Sequence, residues 1–214
     1  MNMTERRFKV VFAGLHNVQR FRNIPNQPLA HMGTPIQVGP LDTASARRLI
    51  REPLEILGYR LDESIVLRIL SYTNYHPGLI QYFCSELVRE IGKRPRTDMN
   101  TYTISERDLT TIYHNPAVRA EIRARFEWTL ALDKRYEVIA WAMIFDQLDV
   151  HDSYSQEYDD QAIFHLARNW WPAGFSSGII RSLLEEMKGL GILVEREGRF
   201  QLRSPNLVRL MGET

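Results

Sequence analysis

The amino-acid sequence predicts a mainly α-helical chain with the remnant of a parallel α/β sheet at one end and three helices closed by a β-hairpin at the other. Three observations predict it. A compact strand-like run occupies residues 8–14, capped amphipathic stripes succeed one another through the middle, and the last third ends in two alternating segments around a Gly-containing turn.

Phe8, Val10, Val11 and Phe12, closed by Gly14, have the β-branched and aromatic character of a strand buried on both faces of a parallel sheet. Such a strand needs neighbours, and the next candidate, 36–40, is short because Pro40 cannot donate to a ladder. Two strands do not make a stable parallel sheet, which is a first sign of truncation. Between them, two prolines and two asparagines in 23–28 rule out a regular element, so His16, Asn17, Gln19, Arg20 and Arg22 fall in a loop at the strand's C-terminal end, where open α/β sheets bind ligands.

The middle reads as three helices. Thr43 is placed to cap the first, with Ala46, Leu49 and Ile50 at helical spacing; Pro53 is expected to kink or restart it, and Gly58 to close it. Asp62 precedes the stripe Ile65, Val66, Ile69, Leu70. Pro77 suits the first residue of a third helix, since its missing N–H has no partner there in any case; that helix carries Leu79, Ile80, Phe83, Cys84, Leu87, Val88 and Ile91 up to Gly92. The basic run 93–96 reads as a solvated loop. Ser105 with Asp108 forms a capping box for a further short helix, Asn115 and Pro116 break it, and 117–131 forms a connector helix with the stripe Val118, Ile122, Phe126, Leu130.

In the last third, residues 138–145 make an apolar helix. The segment 146–160 holds six acidic residues but lacks the glycine and register of a calcium loop. Ile163, Phe164, Leu166, Ala167, Trp170 and Trp171 mark a second helix. Ser176 is placed to cap a third, with Ile180, Leu183, Leu184 and Met187 inward and Arg181, Ser182, Glu185, Glu186 and Lys188 outward; 192–202 is a hairpin. Three helices followed by a hairpin is the order of a winged helix. The boundaries are therefore 1–42 for the incomplete sheet, 43–115 for the three-helix unit, 116–136 for the connector and 137–214 for the winged helix.

The 214 residues carry 27 basic and 26 acidic side chains, so bulk charge implies no polyanionic partner. Ordinary apolar content excludes a disordered chain, and a lone cysteine, Cys84, excludes a disulfide scaffold or a cysteine-based metal cluster. No apolar run reaches membrane-spanning length, and these features together predict a cytoplasmic protein with no metal site of its own. Nothing matches a nucleophile elbow or a paired-histidine zinc motif, and there is no internal repeat.

The order of parts resembles the C-terminal half of a STAND or AAA-like P-loop ATPase. The resemblance is carried by Val10-Val11-Phe12-Ala13-Gly14-Leu15-His16-Asn17, by Pro28-Leu29-Ala30-His31-Met32-Gly33, by Val38-Gly39-Pro40-Leu41 and by Leu49-Ile50-Arg51-Glu52-Pro53-Leu54. It continues in Asn74-Tyr75-His76-Pro77-Gly78-Leu79-Ile80-Gln81 and in Leu202-Arg203-Ser204-Pro205-Asn206-Leu207, and covers nearly the whole chain. It implies that Asn17 or His16 is a sensor-type residue near the γ-phosphate, that Arg20 and Arg22 are charge-stabilising arginines, and that 43–115 is the helical lid. It further implies that Pro77, with His76 and Gly78, lies by the adenine, where a proline at a helix start leaves amides free for an anion or a base edge.

One departure is decisive. Neither the G-x-x-x-x-G-K-[ST] loop nor an acidic strand end for magnesium occurs, so the chain is not expected to hydrolyse ATP or to hold a cofactor alone. ATP or ADP with magnesium is implied for a longer parent ATPase. The implied partners are a preceding P-loop half-domain and a regulatory protein or a second copy, acting on a signalling switch that the winged helix holds closed. Two alternatives stand beside this. One is a DNA-binding regulator using Arg181, Lys188, Arg196 and Arg199, disfavoured because 134–214 carries nine basic against twelve acidic residues. The other is a non-enzymatic protein-interaction adaptor, supported by Trp141, Trp170 and Trp171, for which core packing is the simpler reading.

Overall fold

The structure, a computed structural model, describes Ile36 and residues 39–94, 102–151 and 153–212; the chain divides into two units after Val38, and every regular element described lies in the second. The expected strand 8–14 and the polar tip beyond it, with His16, Asn17, Arg20 and Arg22, lie outside the described residues. Of the expected strand 36–40, Ile36, Gly39 and Pro40 belong to no strand. The described residues are mainly helical with only two small sheets, and none of their helices is long and apolar enough to cross a membrane.

The first helix, α1 (Thr43–Ile56), is capped by Asp42 rather than Thr43: the Asp42 carboxylate accepts from the Ser45 N–H at 2.8 Å and its hydroxyl at 2.7 Å. It also continues through Pro53 rather than restarting there. Only three residues follow the proline, its own carbonyl accepts from the Leu57 N–H at 3.1 Å, and Ala46, Ile50 and Leu54 bury one face, so the single lost backbone bond is outweighed. Gly58, at φ +84°, turns the chain into β1 (Tyr59–Arg60). This strand pairs in parallel with β2 (Tyr102–Thr103), a ladder that the sequence pattern does not announce.

Helices α2 (Glu63–Tyr72), α3 (Pro77–Gly92) and α4 (Glu106–Tyr113) complete the first core around Ile50, Val66, Ile69, Ile80, Phe83 and Leu87. The Ser105–Asp108 capping box opens α4 as expected; Asp62 sits at the N-cap of α2 without a side-chain cap bond. The basic run is tied down where it is described: Lys93 pairs with Glu90 and Arg94 with Asp108.

Helix α5 (Pro116–Leu130) links two cores. Val118 and Ile122 enter the first, Phe126 and Leu130 the second, so one i, i+4 stripe serves both. The second core is built by α6 (Lys134–Phe145), a π-helical turn (Asp146–Val150), α7 (Asp160–Trp170), α8 (Ser177–Gly189) and the antiparallel hairpin of β3 (Leu193–Arg196) and β4 (Arg199–Leu202). Positive φ at Glu197 and Gly198 gives the hairpin its two-residue turn, and Tyr158 adds an antiparallel bridge to Phe200. A last helix, α9 (Pro205–Gly212), lies where no helix was anticipated. It sends Leu207, Val208 and Met211 into the second core and Leu210 into the first.

Two further expectations are corrected. Glu186 does not face outward: it is 6% exposed and accepts from the Tyr136 hydroxyl, a buried partner fifty residues away in the chain. The tryptophans are not all core. Trp170 is 55% and Trp171 38% exposed, with Trp170 stacked on Phe145 and Phe145 on Trp141. Ser176 stands at the N-cap of α8 without a side-chain cap bond.

Candidate functional site

The residues proposed from sequence to touch a ligand and described here, His76, Pro77 and Gly78, lie at the start of α3, and the chain reaches them through a strained turn. Asn74 (φ 50°) and Tyr75 (φ 57°) are consecutive non-glycine residues in the left-handed region. The turn is held by Tyr75 N–H to Leu70 C=O at 3.1 Å and His76 N–H to Thr73 C=O at 2.9 Å. It is also held from the second core: the Asn74 side-chain amide donates to Gly191 C=O at 3.1 Å, and the Arg203 guanidinium lies 5.1 Å from the Tyr75 ring centroid.

At the helix end, Ile80 N–H reaches His76 C=O at 2.9 Å and Leu79 N–H donates to His76 Nδ1 at 3.3 Å. Pro77 has no N–H. Of the first-turn amides this leaves that of Gly78 directed out of the helix. Because Nδ1 accepts, the neutral His76 ring carries its proton on Nε2. Burial first, and the charge of Arg125 second, hold His76 below its usual pKa and favour that neutral form.

Arg125 comes from α5, the connecting helix. It bonds Glu121 Oε1 at 2.8 Å and lies over the exposed Trp128 ring at 5.3 Å. With His76, Asn74, Thr129 and Gly191 it lines a cavity of about 30 Å³ whose floor is Leu79, Ile122, Phe126 and Leu207. That volume holds roughly one water molecule, and the buried Asn74 Oδ1, which has no partner among the described residues, supplies a polar group for it. The site thus offers a free helix-end amide, a neutral histidine and a nearby cation. No group of three or more metal-ligating side chains occurs among the described residues. The Cys84 thiol, pushed up to about 12 by burial, is no nucleophile.

Sequence reasoning found the helix start but missed Arg125, Gly191 and Arg203. Their roles depend on contacts across the chain that no local spacing records. Asn74 had a local signal, because asparagine tolerates the left-handed region.

The cationic residues weighed for DNA are placed differently. Arg181 bonds Glu185 at 2.8 Å and Glu195 at 2.5 Å, and Lys188 bonds Glu185 at 2.5 Å and Glu195 at 2.7 Å, which raises the pKa of both cations. Arg196 and Arg199 face each other across the hairpin end. No protein-family model matches the chain, and neither a curated protein nor a solved structure matches it.

Proposed function

We propose that this chain is the helical lid, connector and winged helix of a STAND or AAA-like P-loop switch. In this reading residues 43–115 are the lid, 116–136 the connector and 137–214 the winged helix. The start of α3 carries it: a left-handed Asn74–Tyr75 turn, clamped from the second core, presents Pro77 and the unspent Gly78 amide at a helix end. A helix end of this kind suits a phosphate or a base edge. The strain stored in the turn is what a site held for a ligand carries.

The phosphate loop and magnesium come from a P-loop half-domain outside these residues, so ATP or ADP binds only the joined protein. The clamp on the turn couples the site to the winged helix. A nucleotide that shifts the turn therefore shifts that domain by its difference in affinity for the two arrangements.

The test is anisotropy of fluorescent ADP on the protein joined to its preceding half-domain, comparing wild type with Gly78→Glu. A glutamate in the first turn suits the helix dipole and repels the anion, and because its Cβ would meet the His76 ring at 3.3 Å, matching far-UV circular dichroism of the variant is checked before binding is read. Binding weakened about tenfold or more supports the reading. Unchanged binding, or a preceding sequence without a P-loop, overturns it.

A protein-interaction adaptor is the second reading, favoured by one observation: the Trp141–Phe145–Trp170 stack leaves Trp170 more than half exposed. The DNA reading has no such support, since Arg181 and Lys188 already hold carboxylates.

A further inference from the structure

Arg203 stands apart from the other arginines of comparable placement. Of the half-buried arginines, Arg47, Arg51, Arg123 and Arg135 each hold a carboxylate, whereas Arg203 has none within ion-pair distance among the described residues. Its guanidinium donates through Nη2 to Leu41 C=O at 3.1 Å and covers the Tyr75 ring. Of the five N–H groups of an arginine, one therefore has a protein acceptor among the described residues. The residue keeps part of its surface exposed.

This is a poor arrangement for stability alone. Withdrawing a guanidinium from water is costly, and a ring face with one carbonyl returns only part of that cost; an apolar side chain in such a place is often neutral or better for folding. Burial accordingly holds Arg203 below the usual arginine pKa, whereas pairing raises it for Arg51, Arg94 and Arg181. The charge sits where three backbone segments converge. These are Pro40–Leu41, the left-handed Tyr75 turn, and Gly191 at φ +75° with Pro40 against it.

We propose that Arg203 is an oxyanion receptor, taking a phosphoryl or carboxylate group on its unspent N–H fork at the joint of residues 40–41, the Asn74–Tyr75 turn and Gly191. A planar fork matches either oxyanion through two parallel bonds. An oxyanion that draws the guanidinium away from Leu41 C=O loosens the hold on residues 40–41. The receptor does not depend on the nucleotide reading, because it needs only Arg203 and its neighbours.

Thermal unfolding of the whole chain, titrated separately with sodium phosphate and sodium acetate against sodium chloride at matched ionic strength, tests it. The receptor predicts a saturable rise in midpoint beyond that in chloride. A response to phosphate alone assigns a phosphoryl group, and a response to acetate alone a carboxylate. Arg203→Met, read against its own anion-free midpoint, binds the anion about tenfold or more weakly, the loss of at least one charge-assisted bond; Arg203→Lys falls between. Equal response to all three salts overturns the proposal, as does an undiminished response in Arg203→Met. If Arg203→Met does not fold, the decision passes to side-chain resonances of wild-type Arg203 and Tyr75: saturable shifts with the anion support the receptor, and static resonances overturn it.

Discussion

Leu210→Ala is the substitution that most directly probes how the two cores are joined. Leu210 is 2% exposed and enters the first core, while its helix neighbours Leu207, Val208 and Met211 belong to the second. Truncating a leucine at such a site costs about 3 kcal/mol through lost transfer energy and the cavity left behind. With a urea dependence of about 2 kcal/mol/M for a chain of this size, the midpoint should fall by about 1.5 M. In a thermal scan the same loss amounts to roughly 6–12 °C. All four tryptophans, at 128, 141, 170 and 171, lie beyond the first core, so fluorescence follows the second part while far-UV circular dichroism follows both. If α9 and α5 bind the cores into one cooperative unit, the two signals shift together. Leu57→Ala, at a 55% exposed position, should move the midpoint by no more than about 0.5 kcal/mol. A Leu210→Ala shift below about 0.25 M, or a dichroism transition that moves while fluorescence stays, would refute the joint.

Three further predictions follow from single positions. Gly191→Ala should cost about 1–3 kcal/mol in a urea titration, because φ is +75° and an added Cβ would sit 3.0 Å from Pro40 Cγ. Asp108 should show its contribution as a function of pH. Burial raises its pKa, but the bonds from Ser105 and the charge of Arg94 together outweigh this and hold it below its usual 3.8, so its stabilisation is present above that value and lost as pH falls through the lowered one. The stability gap between wild type and Asp108→Asn should then be about 1–2 kcal/mol near neutrality and close in strong acid, as urea midpoints across pH will show. Cys84, its thiol pushed up to about 12, should resist iodoacetamide at pH 8 in the native protein and react once urea unfolds it, as mass spectrometry will register.

Local chemistry made several elements legible before any coordinates. The Ser105–Asp108 box, Pro77 at a helix start and the hairpin turn at Glu197–Gly198 each depend on residues within four positions of one another, and each forms. The α5 stripe was legible too, although only the structure divides it between two cores. Illegible features are those whose partners are distant. Two-residue strands such as β1 and β2 carry no periodicity to detect. Glu186 reads as an outward charge until Tyr136 is folded against it, and Pro53 reads as a break until the burial of Ile50 and Leu54 is set against one missing bond. The site divides in the same way: His76, Pro77 and Gly78 are a local motif, while Arg125, Gly191 and Arg203 meet the turn only through tertiary packing.

The claim that the start of α3 faces a nucleotide is tested most directly by photolabelling the protein, joined to its preceding half-domain, with 8-azido-ADP and mapping the modified peptide. The account predicts label on the peptide containing residues 74–80, suppressed by excess unmodified ADP. Label confined to other peptides, or labelling of 74–80 that excess ADP leaves unchanged, would contradict it.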